Sequence, residues 1–310
     1  MKALVTGATG LIGSRLLGSL EQPRVLVRDV ERARRHHAGI DALAWDAARP
    51  LPSGALDGID VVFHLAGAPV AEGRLTAARK RAVRESRVFG TRRMVQALAE
   101  SAGRGGRPPV LVNASAVGFY GSRGDEVLTE RSDKGDGFLA DVCAEWEGEA
   151  VAARRVGVRV ACARIGIVLA AEGGALAAMR PAYLAGVSIG KSTQWMPWIH
   201  VDDVVGLLLH AATHAAVDGP INLCAPIPAT NETFTKVFSR ALHRPALLRL
   251  PPAALRLVMG ELADVATASQ RVLPNVAEAT GYAFRFASLE AALADVTSGG
   301  MAPVAAEARP

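Results

Sequence analysis

In the first half of the chain, short apolar runs alternate with stretches whose apolar residues recur every three or four positions. "ALVTG" (3–7), "RVLVR" (24–28), "ALAW" (42–45), "DVVFHLAG" (60–67), "PPVLVNASA" (108–116) and "VRVACARIG" (158–166) read as strands. Leu11 to Leu20, Thr76 to Glu100 and Leu139 to Arg155 carry the helical period. Strands apolar at consecutive positions, rather than alternate ones, are buried on both faces. Interleaved with helices, they predict an α/β fold, a doubly wound parallel sheet of Rossmann-like type.

After about Ala170 the alternation loosens. "PWIHVDDVVGLLLHAATHAA" reads as a short strand leading into a helix capped by Asp202 or Asp203, and "GPINLCAP" (219–226) as a further strand. Phe234 to Leu242 and Ala253 to Asp264 read as helices. The expected organisation is a nucleotide-binding unit over 1–170, to which 196–225 returns. A smaller C-terminal substrate lobe would take 171–195 and 226–298, and 299–310 would be a mobile Ala-rich tail.

Composition narrows the setting. The 310 residues are half hydrophobic but only 5% aromatic, so the core must rest on Ala, Val and Leu. No run approaches the roughly 18–20 apolar residues of a membrane helix, and the glycine-rich loop begins where a signal peptide's apolar region would stand. Cys143, Cys162 and Cys224 are far apart and form no C-x-x-C pair, which argues against a disulfide framework and against a metal site. The expectation is a cytoplasmic protein with no membrane partner. The net charge of +5 draws on the Arg-rich stretch Ala78 to Arg93. With Glu85 interspersed and no nucleic-acid motif, that stretch reads as a solvated helix face and not as a nucleic-acid surface.

"TGATGLIG" (6–13) follows the first strand and opens the first helix, spacing its glycines as Gly7, Gly10 and Gly13. In such a turn, glycines let the backbone bend and approach a pyrophosphate, while the helix start offers free N–H groups and a positive dipole end. The flanking strand–helix–strand context makes this a dinucleotide site. The second strand ends in Arg28, followed by Asp29. An arginine there accommodates the 2′-phosphate of NADP(H), and an acid would hold the free 2′-OH of NAD(H). NADP(H) is the favoured cofactor; Asp29 keeps NAD(H) as the minority reading, or simply caps the next helix.

"VTGATGLIG", "DVVFHLAG", "NASAVGFYG" and "WIHVDD", in that order, resemble the extended short-chain dehydrogenase/reductase superfamily. "LAGAPV", "ESRVFGT", "SAVGFYGSRGDEVLTE", "FLADVCAEWE", "QWMPWIHVDD", "NETFTKVFSRALHRPALLRLP" and "RVLP" resemble its atypical epimerase-like branch, which ends in a small domain of undefined function. The resemblance spans about 1–296 and implies that Gly7, Gly10, Leu11 and Ile12 line the pyrophosphate, with Thr9 and Gly13 in the same loop. It implies that Arg28 meets the adenosine phosphate and that Leu65, Ala66 and Gly67 pack along the cofactor's ribose side. His64 is expected to be a hydrogen-bonded core residue, and His200 and Asp202 to tie the lobe to the sheet.

The superfamily's working pattern uses a tyrosine as proton donor or acceptor and a lysine four residues on to lower its pKa, since a free phenol near pKa 10 is a poor base. Four residues beyond Tyr120, Tyr183 and Tyr282 stand Gly124, Val187 and Phe286, so the pair is absent. Leu139 and Cys143 take the two places in the resemblance. Tyr120, after a strand whose C-terminal end faces the crevice, is the expected substitute, with Ser115 beside it; Cys143 is the lesser alternative and reads first as a small buried hydrophobe. Lys191, Gln194 and Trp195, in "GKSTQW", are the expected substrate contacts.

Two readings follow. One is an NADP(H)-dependent oxidoreductase or epimerase-like enzyme acting on a small polar substrate, with sugar nucleotides among the candidates. The alternative is a non-catalytic NADP(H)-binding redox sensor that reports to a partner. A homodimer through the helices near 76–100 and 139–155 is an expectation from the resemblance.

Overall fold

The computed structural model describes every residue except 38, 72, 104–107, 247 and 299–310, so the expected C-terminal tail lies outside the described residues. Seven strands form the main sheet: β1 (Ala3–Thr6), β2 (Arg24–Val27), β3 (Asp41–Ala44), β4 (Val61–His64), β5 (Val110–Ala116), β6 (Val160–Ile165) and β7 (Gly219–Leu223). Their order is β7-β6-β5-β4-β1-β2-β3, and every neighbouring pair is parallel. The order reverses between β1 and β4, the switch point at whose C-terminal side open α/β sheets receive ligands.

Consecutive strand residues serve opposite faces, which is why the strands are apolar throughout. Val5, Val25, Phe63, Val112, Ala161 and Ile221 share one core with Leu16 of α1 (Leu11–Leu17) and Leu207 and Leu208 of α6 (Val201–Thr213). Leu4, Leu26, Val62, Leu111 and Val160 face the other way, onto Met94 and Leu98 of α3 (Ala77–Ala102) and Ala150 of α4 (Phe138–Val151). Burying both faces of a sheet in this way is the dominant stabilising term of the fold.

A third core gathers Leu176 and Tyr183 of α5 (Gly174–Leu184), Phe234 and Phe238 of α7 (Asn231–Ala241), Trp198, Phe286 and Leu293. Short two-residue and three-residue ladders bind this region to the sheet's upper rim. Trp198–His200 runs parallel to Ile167–Leu169, and Arg271–Val272 to Val127–Leu128. Among the described residues no helix is long and apolar enough to cross a membrane.

Several expectations need correction. The cap of α6 is neither Asp202 nor Asp203 but His200, whose Nδ1 accepts the Asp202 N–H at 3.1 Å. Asp203 turns inward instead and accepts from Tyr282 Oη and from the Arg285 and Phe286 N–H groups. The helix expected over 253–264 is two, Pro252–Met259 and Leu262–Ala266, broken where Gly260 adopts φ +62. The helices over 174–184, 275–279 and 289–298 carry too weak a period to stand out in the sequence.

Candidate functional site

The glycine loop leaves β1 and enters α1 at the switch point. Gly7 has φ +70, and a Cβ there would stand 2.7 Å from the Leu65 carbonyl carbon, so only glycine lets the loop lie on the backbone that follows β4. A Cβ on Gly13 would stand 2.2 Å from the Gly7 carbonyl oxygen. Gly10 caps α1 with no side chain filling its N–H groups, and its own N–H bonds the Gly7 carbonyl at 3.0 Å. Thr9 and Gly10 are exposed, while Leu11 and Ile12 are half-buried. Leu11 Cδ2 reaches across to Gly174, where a Cβ would stand 3.0 Å from it. The cradle is therefore formed, uncapped and open at its rim, which fits a dinucleotide's pyrophosphate.

Arg28 stands exposed at the end of β2 and makes no polar contact among the described residues. Asp29 is engaged locally, its Oδ1 accepting the Arg32 N–H at 2.9 Å as the cap of α2 (Val30–His36). The acid that kept NAD(H) open as a reading is thus serving the helix, and the arginine is the available group.

Leu65, Ala66 and Gly67 leave β4 half-buried or exposed along the same rim. Thr6 Oγ1 accepts the Ala66 N–H at 3.1 Å and meets His64 Nδ1 at 2.8 Å. His64 is wholly buried, and burial pushes its imidazole down to about 4, so it is a neutral core residue as expected.

Beneath the ends of β5, β6 and β7 lies a buried polar network. Arg164 donates through Nε and Nη2 to Glu147 at 2.9 and 2.8 Å, and through Nη1 to Tyr120 Oη at 2.9 Å. Tyr120 Oη donates to Asn222 Oδ1 at 2.7 Å, and Ser115 Oγ donates to Glu147 Oε1 at 2.6 Å. Tyr120 was expected to hold its phenol toward the crevice; it is 0% exposed, and burial pushes its pKa up to about 12. Ser115 is also buried. Cys143 is buried on α4, and burial raises its thiol to about 11, the behaviour of a small hydrophobe. Glu130 completes the network, Oε1 accepting the N–H groups of Asn222 and Val276.

The three expected substrate contacts part company. Lys191 is exposed on its loop. Gln194 is buried, and its Nε2 donates to the carbonyls of Ala266 and Ala268 at 2.9 and 3.2 Å, which fastens the loop to the C-terminal segment. Trp195 is half-buried, with Nε1 on Asp125 Oδ1 at 2.7 Å and the Arg271 guanidinium over its ring at 4.6 Å.

Sequence reasoning passed over Arg164, Glu130 and Asn222, and it placed Arg87 on a solvated face. Arg164 left a readable signal, a charge inside an otherwise apolar strand, because such a residue is buried only with a partner. The partner, Glu147, stands 17 residues away and cannot be picked out by spacing.

A family model described as the NAD dependent epimerase/dehydratase family matches residues 3–224, and one for a domain of unknown function, DUF1731, matches 250–296. Epimerase family protein ML0860 of Mycobacterium leprae is 37% identical over 95% of each chain. The crystal structure of human epimerase family protein SDR39U1 with NADPH superposes with a TM-score of 0.82 at 31% identity, covering 96% of this chain and 99% of the human one. A nucleoside-diphosphate sugar epimerase from Corynebacterium glutamicum gives 0.76 at 34% identity, over 96% of this chain and 58% of that one. With the parallel sheet, the glycine cradle at its switch point and the C-terminal segment on its rim, this chain belongs to the NAD dependent epimerase/dehydratase family and carries that family's fold with a DUF1731 domain at its C-terminal side.

Proposed function

We propose that the protein is an NADP(H)-dependent oxidoreductase acting on a small polar substrate. The carrying observation is the uncapped glycine cradle joined to an unengaged Arg28 at the end of β2. The NADPH in the human relative supports the same choice of dinucleotide. Gly7, Thr9, Gly10, Leu11, Ile12 and Gly13 would hold the pyrophosphate, Arg28 the 2′-phosphate, and Leu65, Ala66 and Gly67 the ribose side. The nicotinamide, when bound, supplies hydride chemistry.

The substrate would lie between the sheet rim and a lobe built from 171–195 and 226–298, with Lys191 as a mobile-stemmed anchor for a negative group. Gln194 and Trp195 hold that wall together. Tyr120 and Ser115 act as supports, since the tyrosine hydroxyl is engaged on both its donor and acceptor sides and has no path to a substrate. The sugar-nucleotide epimerase among the structural relatives favours a substrate of that class. The three free, buried cysteines fit a reducing compartment such as the cytoplasm. A homodimer would pair through α3 and α4, where exposed Phe89 borders a groove of about 800 Å³.

The sealed Tyr120 favours a second reading, a non-catalytic NADP(H)-binding sensor. One experiment separates the two. Titration calorimetry with NADPH, NADP⁺ and NADH comes first, then a stereospecific deuteride-transfer screen from labelled NADPH against carbonyl and sugar-nucleotide pools. Label entering a product establishes the oxidoreductase. Tight NADPH binding with no transfer selects the sensor, and no binding of any dinucleotide defeats both.

A further inference from the structure

Part of the lobe on the sheet's rim is built from residues of one charge. Between Glu232 and Glu261 the chain has no Asp or Glu, and it carries Lys236, Arg240, Arg244, Arg249 and Arg256. The acids that border this stretch are engaged locally. Glu232 pairs with Lys236 at 2.6 Å, Asp264 with Arg256 at 3.1 Å, and Glu261 with Lys80 of α3. Arg244 and Arg249 are exposed, and among the described residues neither has an ion-pair partner. The surface of this stretch is therefore positive, with no carboxylate of its own to neutralise it.

Aliphatic residues of the same stretch face outward. Leu248 opens the strand Leu248–Leu250, which runs parallel to Val187–Ile189, and is 67% exposed. In α8 (Pro252–Met259) Leu255 is buried, while Leu257 and Val258 are 77% and 68% exposed. The helix is fastened in place, since Arg74 Nη2 donates to the Leu257 carbonyl at 2.8 Å and Glu261, just beyond it, holds Lys80. Large aliphatic side chains left in water on consecutive elements mark a surface that a partner covers. Charge decides which partner. A second copy paired about a two-fold axis would set one acid-free surface against another and be repelled. Leu and Val are under-represented among the residues that carry protein–protein affinity, and no Phe, Trp or Tyr stands between Phe238 and Tyr282. Aliphatic side chains beside unpaired arginines match an anionic bilayer surface, where the first enter the acyl boundary and the second meet lipid phosphates.

We propose that α8 and the strand before it dock the protein on an anionic lipid surface, with Leu248, Leu257 and Val258 as insertion points and Arg244 and Arg249 as phosphate contacts. The expectation of no membrane partner rested on the lack of a spanning segment, which bears on crossing a bilayer and not on resting against one. The docking surface does not depend on the NADP(H) reading.

The test is co-sedimentation of the full chain with vesicles of phosphatidylcholine alone and of equimolar phosphatidylcholine and phosphatidylglycerol. The wild type is expected to pellet with the anionic vesicles, to be released as salt is raised, and to stay in solution with the neutral ones. L257S/V258S is expected to bind the anionic vesicles at least about 10-fold more weakly, and R244Q/R249Q about 30-fold more weakly, at about fivefold per arginine. R84Q/R92Q removes two arginines already paired with Glu145 and Glu149 of α4 and should stay within about threefold of wild type. L248S carries the apolar arm on a separate element should L257S/V258S fail to fold. A wild type that binds neither vesicle overturns the proposal, and so does undiminished binding by L257S/V258S. A loss in R84Q/R92Q equal to that in R244Q/R249Q overturns it as well, because net charge alone would then account for the binding. A dimer in solution that L257S/V258S dissociates would give the face to a second copy instead.

Discussion

Arg164 grips Glu147 with two parallel hydrogen bonds, Nε to Oε1 at 2.9 Å and Nη2 to Oε2 at 2.8 Å, with both side chains almost wholly buried. The pair joins β6 to α4, and Ser115 and Tyr120 hang from it. Removing one member leaves an uncompensated buried charge. Glu147→Ala is therefore expected to lose about 3–5 kcal/mol of stability, read as a drop in the urea midpoint. A change under about 1 kcal/mol would mean the network is not a structural tie.

Tyr120→Phe tests the support role directly. It strips a partner from Arg164 Nη1 and from Asn222 Oδ1, which predicts a loss of about 1–3 kcal/mol in unfolding free energy. Dinucleotide affinity should remain within about twofold of wild type, because the hydroxyl does not reach the crevice. Once a substrate is known, turnover should persist; its abolition in a folded variant would return Tyr120 to the role of proton donor.

Arg28→Ala should weaken NADPH by about 10- to 100-fold and leave NADH nearly unchanged, since only NADPH bears the 2′-phosphate. Equal weakening of both would place the phosphate elsewhere. Calorimetry with the two reduced cofactors decides it.

His64 makes stability depend on pH. Its imidazole titrates near 4 in the folded chain against an ordinary value of 6.5, because the buried ring is held neutral. The unfolded chain takes up the proton first, so this contribution is complete above about pH 6.5 and is lost as the pH falls toward about 4. The span corresponds to about 3 kcal/mol. Denaturant melts at pH 7, 5.5 and 4.5 should show the decline, and His64→Gln should flatten that part of it. An unchanged slope in the variant would assign the acid sensitivity to other groups.

The glycine cradle and the parallel sheet were legible because their causes are local. Gly13 is required by a backbone approach to Gly7 within one contiguous strand–loop–helix unit, and Gly7 by its positive φ in that same loop, although the backbone it rests on, Leu65 and Ala66, comes from the end of β4. Strands buried on both faces must be apolar at every position, so Leu4 and Val5 announce a covered sheet before any partner is known. Arg28 was legible for the same reason, standing at the end of a strand whose position the pattern marks.

What the chain alone could not decide was which polar group meets which. Arg84 and Arg87 occupy one helix three residues apart, yet the first pairs with Glu145 in solvent and the second lies on Gly67 beside Trp146. A helical period assigns a face, not the element that will cover it. Tyr120 looked available because it follows a strand end at the crevice, but Arg164, Asn222 and the segment around Val272 close over it from positions 44 or more residues away. Likewise His200, not Asp202 or Asp203, caps α6, since Asp203 is drawn inward by Tyr282, Arg285 and Phe286. Apolar periodicity and backbone sterics act within a few residues and are written in the sequence; burial of a charge or hydroxyl depends on partners brought together only when the sheet and its C-terminal segment have packed.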